Sequence, residues 1–207
     1  MLKKFSNPVA AAVVALLFSG QANAVVINFD DLVWTPLDPP CLCDQPLTNE
    51  YESQGLIIDG GYLMAYDPND DNVISPDNYL LGSDYLRLDF VGTLPTFISM
   101  IVNSFHEEAI YFTVYGQEGL IEQQQTDGYA GPVSTPYRPN QQMTFTHAQG
   151  IASIAIHGFY NMRTSAKIDD LTLEYADIPA PSTLFLLLSG LLAMIWMRKY
   201  HPQRLRG

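Results

Sequence analysis

The chain has 207 residues, 22 acidic and ten basic, which is enough for one ordinary domain plus targeting segments. All 22 Asp and Glu fall between residues 30 and 177, where only Arg87, Arg138, Arg163 and Lys167 oppose them. Such a surface repels phosphate backbones and excludes nucleic acid as a partner. It suits solubility, or carboxylates clustered around a hard cation such as calcium.

The start reads Met1-Leu2-Lys3-Lys4, then an apolar run from Val9 to Phe18, then Ala22-Asn23-Ala24. A basic start, a short apolar stretch and a small-x-small site predict a signal helix over residues 1–24. Passage through the secretion translocon and cleavage between Ala24 and Val25 follow. No Cys succeeds the apolar run, so nothing marks a lipid attachment site. Cys41 and Cys43 come later, as Cys-Leu-Cys. Export makes a disulfide chemically accessible, but a bridge between residues two apart closes a strained ring. Zinc is disfavoured, because no second Cys or His pair stands at finger spacing.

Residues 25–177 read as one all-β domain. Short segments rich in Val, Ile, Phe, Tyr and Thr are bounded by Gly, Pro, Asn and Asp. Strands are predicted at Val25–Phe29, Leu56–Ile58, Tyr62–Ala65, Tyr85–Phe90, Phe97–Val102, Ala109–Tyr115, Met143–Thr146, Ile151–His157 and Ile168–Tyr175. In Tyr85-Leu86-Arg87-Leu88-Asp89-Phe90, the apolar Leu86, Leu88 and Phe90 share one face. Leu171, Leu173 and Tyr175 do the same near the end. Nine short strands without an amphipathic helix predict an antiparallel two-sheet, jelly-roll-like sandwich. Residues 35–50 and 127–141 read as long loops.

Four groups of residues in this body carry candidate chemistry. Asp30 or Asp31 with Asp169 or Asp170 would form a structural calcium site if the first and last strands lie together. Asp67-Pro68-Asn69-Asp70-Asp71-Asn72, with Asp77-Asn78 nearby, is oxygen-rich but lacks the Gly and distal Glu of an EF-hand loop, so a solvated turn is expected. His106-Glu107-Glu108 lacks the second His of a zinc helix and reads as a hairpin turn. Trp34, Tyr129 and Tyr137 sit in loop-like contexts and are the candidate ligand platforms, since flat amphipathic rings suit sugar faces. Tyr51, Tyr62, Tyr66, Tyr79 and Tyr160 are expected mostly in sheet or core packing. No nucleophile elbow or phosphate loop occurs, so no catalytic residues are assigned.

The end reads Ile178-Pro179-Ala180-Pro181-Ser182-Thr183, a charge-free Leu-rich run to Met197, and Arg198-Lys199. A spanning helix takes roughly 20 apolar residues, with ~17 as the lower limit. A transmembrane helix is therefore predicted over about residues 182–197, with the basic tail 198–207 cytoplasmic and the acidic domain outside.

Pro179-x-Pro181-Ser182-Thr183-Leu184, the Leu-rich run with a central Gly190, and the closing Arg/Lys cluster resemble the PEP-CTERM sorting signal. The resemblance covers residues 178–207. It implies export in a Gram-negative bacterium and recognition at Pro179, Ala180 and Pro181 by an exosortase-type membrane protease. Release to the cell surface or extracellular matrix would follow. The family's middle Glu is Ala180 here, which leaves retention as a membrane-anchored protein open.

The body resembles jelly-roll modules of the carbohydrate-binding or galactose-binding-like type. Three stretches carry the likeness: Ile27-Asn28-Phe29-Asp30-Asp31-Leu32, Thr48 to Leu56 with Tyr51 and Gly55, and Ala166-Lys167-Ile168-Asp169-Asp170-Leu171. In such sandwiches, acidic residues of the terminal strands share a calcium ion. The resemblance implies a non-enzymatic surface protein that binds glycan, with extracellular polysaccharide as its partner. A purely structural adhesion protein and a secreted hydrolase on the same sandwich are the alternatives.

Overall fold

A computed structural model describes residues 24–35, 45–65, 78–104, 106–129, 134–158 and 166–176, with the side chains of residues 83 and 84 excepted. All of them belong to one compact unit, Ala22–Ala176. The predicted signal segment before Ala24, Cys41 and Cys43, Tyr66, the stretch from Asp67 to Asp77, Tyr160 and the tail with Pro179, Ala180 and Pro181 lie outside the described residues. No helix among the described residues is long and apolar enough to cross a membrane.

The all-β expectation holds. The described residues form β1 (Ala24–Ile27), β2 (Pro46–Leu47), β3 (Leu56–Ala65), β4 (Asn78–Phe90), β5 (Phe97–Ser104), β6 (Tyr111–Gly116), β7 (Gly119–Gln125), β8 (Gln141–Thr146), β9 (Ser153–His157) and β10 (Ala166–Glu174). Every strand pairing is antiparallel. The pairings run in the order β7-β6-β9-β4-β10-β5-β8, with β3 beside β4, β2 beside β3 and β1 beside β10.

This path curls because β4 serves two neighbours. Its first half pairs Leu80 and Leu81 with Ile168 and Lys167 of β10. Its second half pairs Leu86 to Asp89 with Ile156 to Ser153 of β9. Between the halves, the register with β3 slips from Asp59↔Arg87 to Gly61↔Gly82. Gly60 alone on β3 thus faces the extra residues of β4, an irregularity of the kind that turns a strand from one sheet into another. The two segments predicted at Leu56–Ile58 and Tyr62–Ala65 are therefore one strand, β3, bent at the glycines rather than interrupted.

Leu86, Leu88, Ile98, Val102, Phe112, Val114, Phe145, Ile154 and Ile156 are all buried between the layers. Each alternates with outward-facing neighbours, as strand geometry requires. The far ends of the path meet at a seam, where the Gln124 amide of β7 donates to the Thr144 carbonyl of β8 at 3.2 Å.

Two other sequence expectations change. β4 starts at Asn78, seven residues before the predicted Tyr85, because pairing with β3 and β10 outweighs the weak strand propensity of Asn78, Gly82, Ser83 and Asp84. β7 was absent from the prediction for the same reason. It carries Gly119, Glu122 and three consecutive Gln, and it forms because β6 offers an open edge.

Gly60 has φ +77°, and a Cβ there would run into the Tyr85 carbonyl oxygen. Gly60→Ala is expected to destabilise the protein by more than ~1 kcal/mol, read as a lower urea midpoint with an unchanged slope.

Candidate functional site

Four strands, β4, β9, β6 and β7, lie side by side. The inward residues of β4, β9 and β6 are in the core, Ile121 of β7 packs partly buried against it, and the outward residues form a second face that the registers arrange in rows. His157 opposes Tyr111, and Tyr111 opposes Gln125, with Tyr85 continuing this row on β4. In the next row Arg87 opposes Ala155, Ala155 opposes Thr113, and Thr113 opposes Gln123. In the third, Asp89 opposes Ser153 and Ser153 opposes Tyr115.

Side-chain size along the rows makes the face concave. β9 contributes small Ser153 and Ala155 at the middle, while β4 and β6 raise Tyr85, Arg87 and Tyr115 on either side. The result is an open trough of about 760 Å³, within the general size range of ligand sites. A smaller hollow of about 250 Å³ continues it past Tyr111 and His157 to Gln124 and Gln125.

The trough is ordered by its own contacts. Arg87 Nε donates to Asp89 Oδ1 at 2.7 Å, and Arg87 Nη2 to Ser153 Oγ at 3.2 Å. The bond to Asp89 and then the Tyr85 hydroxyl hold the guanidinium above its ordinary pKa, and partial burial opposes them. The Tyr111 and His157 rings stack with centroids 5.6 Å apart and planes 9° from parallel. Gln123 Nε2 donates to Thr113 Oγ1 at 3.3 Å. Tyr85 is 43% exposed, so much of its ring is open to a ligand.

Trp34, Tyr129 and Tyr137 do not line this trough. Trp34 packs partly buried against the core. Tyr137 is fixed by its hydroxyl, which donates to Asn103 Oδ1 and accepts from the Ser104 backbone N–H, each at 3.1 Å. Tyr129 is 52% exposed and pairs its backbone with the 106–109 segment. The described part of the 127–141 loop is held by an ion pair from Arg138 to Asp127 at 2.7 Å, and by Gln141, whose amide oxygen accepts from the Asp127 backbone N–H at 2.6 Å.

The strands next to the carboxylates considered for calcium are brought together. First and last strands do pair, from Ala24↔Glu174 to Ile27↔Leu171. Beyond that point each chain bends, with Phe29 and Asp170 both at positive φ. Asp30 Oδ1 accepts from the Asn78 backbone N–H at 2.8 Å, Asp31 Oδ1 from the Tyr51 hydroxyl at 2.6 Å, and Asp169 Oδ1 from the Asp170 N–H at 2.8 Å. Among the described residues, no group of three or more His, Cys, Asp or Glu side chains gathers around a metal position. Glu107 and Glu108 follow a turn, but not a hairpin: β5 pairs with β8 and β10, whereas β6 pairs with β7 and β9. That turn crosses between neighbourhoods of the sheet. The alternation of Tyr85, Arg87 and Asp89 with leucines was visible in the sequence, as was that of Tyr111, Thr113 and Tyr115 with Phe112 and Val114. What it lacked was the adjacency of β9 to both β4 and β6, strands about forty to seventy residues away from it in sequence.

The Thr48–Leu56 motif also acquires a physical meaning. Tyr51 is buried edge-on against Phe29, with centroids 5.5 Å apart, and its hydroxyl reaches Asp31. Gly55, at φ +91°, ends the short turn Glu52–Gln54 and turns the chain into β3.

Comparison with known proteins gives no family model and no curated protein that matches the chain. Among solved structures, the chain is similar to the K2 cleaved adhesin domain of Lys-gingipain, at 10% identity and TM-score 0.44, covering 73% of this chain and 99% of that one. It is similar to a family 29 carbohydrate-binding module at 12% identity and TM-score 0.40, covering 82% of this chain and 98% of that one. It is also similar to a xylan-binding module at 14% identity and TM-score 0.32, covering 57% of this chain and 99% of that one.

Burial, then the bond to Asp31 and the charges of Asp31, Asp30 and Glu50, push the Tyr51 phenol well above its ordinary pKa. Burial shifts Tyr111 and Tyr175 in the same direction. An unfolded phenol ionises at about 10, earlier than these folded ones, so their contribution to stability is whole below about pH 10 and is lost as pH rises beyond it. Tyr51→Phe is expected to lower stability by about 1–2 kcal/mol near neutral pH. The same change should flatten the alkaline loss, as followed by denaturant titration across pH.

Proposed function

We propose that the protein is an exported, non-enzymatic surface protein whose sandwich holds glycan in the trough on β4, β9, β6 and β7. The observation that carries this reading is the set of three rows. They put phenol rings, a guanidinium, a carboxylate and an amide around a floor of small side chains. Rings supply flat apolar contact to sugar faces, and the planar polar groups supply paired hydrogen bonds to hydroxyls. Strand-borne side chains held by an ion pair and a ring stack lose little freedom on binding, which favours affinity.

A binding role is also favoured over hydrolysis by the lining. Glycoside hydrolysis uses two carboxyl groups flanking the scissile bond. Among the described lining residues Asp89 is the single carboxylate, and it is ion-paired to Arg87.

The termini supply the delivery half of the proposal. Ala22-Asn23-Ala24 before Val25 would release the chain from the translocon. Pro179-Ala180-Pro181, the apolar run and Arg198-Lys199 would stop it in the membrane for an exosortase-type protease and surface display.

Tyr115→Ala and Tyr85→Ala are each expected to weaken binding to a glycan array at least about tenfold, a loss in line with ~1–3 kcal/mol for removing a stacking ring. Their melting temperatures should stay near that of the parent. Unchanged array binding by the double variant would remove the trough from consideration. Mass spectrometry of the mature protein from its host should find Val25 first and a C-terminus near Pro181. An intact Gly207 would instead indicate a retained membrane anchor.

A further inference from the structure

Arg87 and Asp89 stand two residues apart on the outward face of β4, so both point into the trough. Their ion pair stays open to solvent, with Arg87 40% and Asp89 36% exposed. A guanidinium carries five N–H donors in one plane, and a carboxylate has about four acceptor sites. The bonds to Asp89 and Ser153 engage part of the Arg87 fork. The pair thus offers a ligand donors and acceptors side by side with no net charge.

Vicinal hydroxyls complement that edge, because each can donate and accept at once. A carboxylate or sulfate on a sugar does not. It would meet Asp89 as a like charge, and juxtaposed like charges oppose binding strongly. The rest of the body offers little compensation. Among the described residues, Arg138 is paired with Asp127, and Lys167 is buried, over the Tyr79 ring at 5.6 Å. Among the described residues, Arg87 is the single Arg or Lys in the trough lining. His157 and the phenols of Tyr85 and Tyr115 are the other titratable groups of that lining.

We infer that the trough selects neutral sugars through their vicinal hydroxyls and turns away acidic polysaccharides, with Asp89 setting that choice by occupying Arg87. This rests on the glycan reading given above and names its substrate class.

The test is affinity electrophoresis of the full-length protein, all gels run in one buffer. Gels contain glucomannan or arabinoxylan as neutral probes, and polygalacturonate or alginate as acidic ones. The parent protein should be retarded by a neutral probe and by neither acidic one. Asp89→Asn frees the Arg87 charge and should gain about tenfold in affinity for an acidic probe at low salt, with the gain lost at high salt. Parent protein retarded equally by acidic and neutral gels would overturn the inference and leave the trough reading intact. So would an Asp89→Asn variant that melts near the parent temperature yet gains no affinity for either acidic probe. If the variant misfolds, the parent's own choice between the two kinds of gel decides the matter. No retardation of the parent by any of the four probes would bring down the inference and the glycan reading together.

Discussion

A single strand has to satisfy two layers at once. β4 hydrogen-bonds to β10 through Leu80 and Leu81 and to β9 through Leu86 to Asp89. It keeps β3 along its other edge throughout. Both layers therefore hinge on the bend where Gly60 faces the extra residues of β4. Side-chain bulk is excluded there by the Tyr85 carbonyl. Immediately after this bend come Tyr85, Arg87 and Asp89, which wall the trough. The element that closes the core is the same one that presents the site. A slip of one residue in its register would send leucines outward and the charged side chains into the core.

The trough is an electrostatic exception within its own domain. Carboxylates outnumber cations heavily across the body, yet the centre of the concave face holds a balanced pair. Solvent and salt screen charges on an open surface, but a concave wall screens them less, and the sign of a local charge there matters more. Arg87, Asp89 and Ser153 already hold one another in place, with part of the guanidinium fork still open. Such preorganisation is what a rigid sheet supplies more readily than a loop.

Much of the sandwich could be read from local pattern. The alternation in Tyr85–Phe90 places Leu86, Leu88 and Phe90 in the core and leaves Tyr85, Arg87 and Asp89 outside, as found. The calcium candidate of Asp30, Asp31, Asp169 and Asp170 depended on the first and last strands lying together, and those strands pair from Ala24↔Glu174 to Ile27↔Leu171. Where the pattern failed, propensity and tertiary pairing pulled apart. Gln123, Gln124 and Gln125 have no apolar stripe, and β7 exists through its bonds to β6. The pair Gly60-Gly61 looked like a break and is a bend. The site was harder still. Its residues come from strands distant in sequence, and only their order in the sheet makes neighbours of Arg87, Ala155, Thr113 and Gln123. Loop aromatics such as Tyr137 were more conspicuous in the sequence, but the Tyr137 hydroxyl is bound to the backbone and side chain of β5.

The inward and outward residues of three of the four trough strands, β4, β6 and β9, alternate along Leu86–Phe90, Tyr111–Tyr115 and Ser153–His157. Each core position is thus separated from its nearest trough position by one backbone unit and by the whole thickness of the pleat. Thr113, Gln123 and Ser153 can be exchanged for polar residues of similar size without entering the layer that Phe112, Val114 and Ile154 fill. The sequence thereby keeps two nearly independent alphabets on the same strands. One is constrained by the volume of the core and the other by the surface of the trough. Side chains on the outer face can therefore change with little cost to the fold, because the volume they fill is not that of the core.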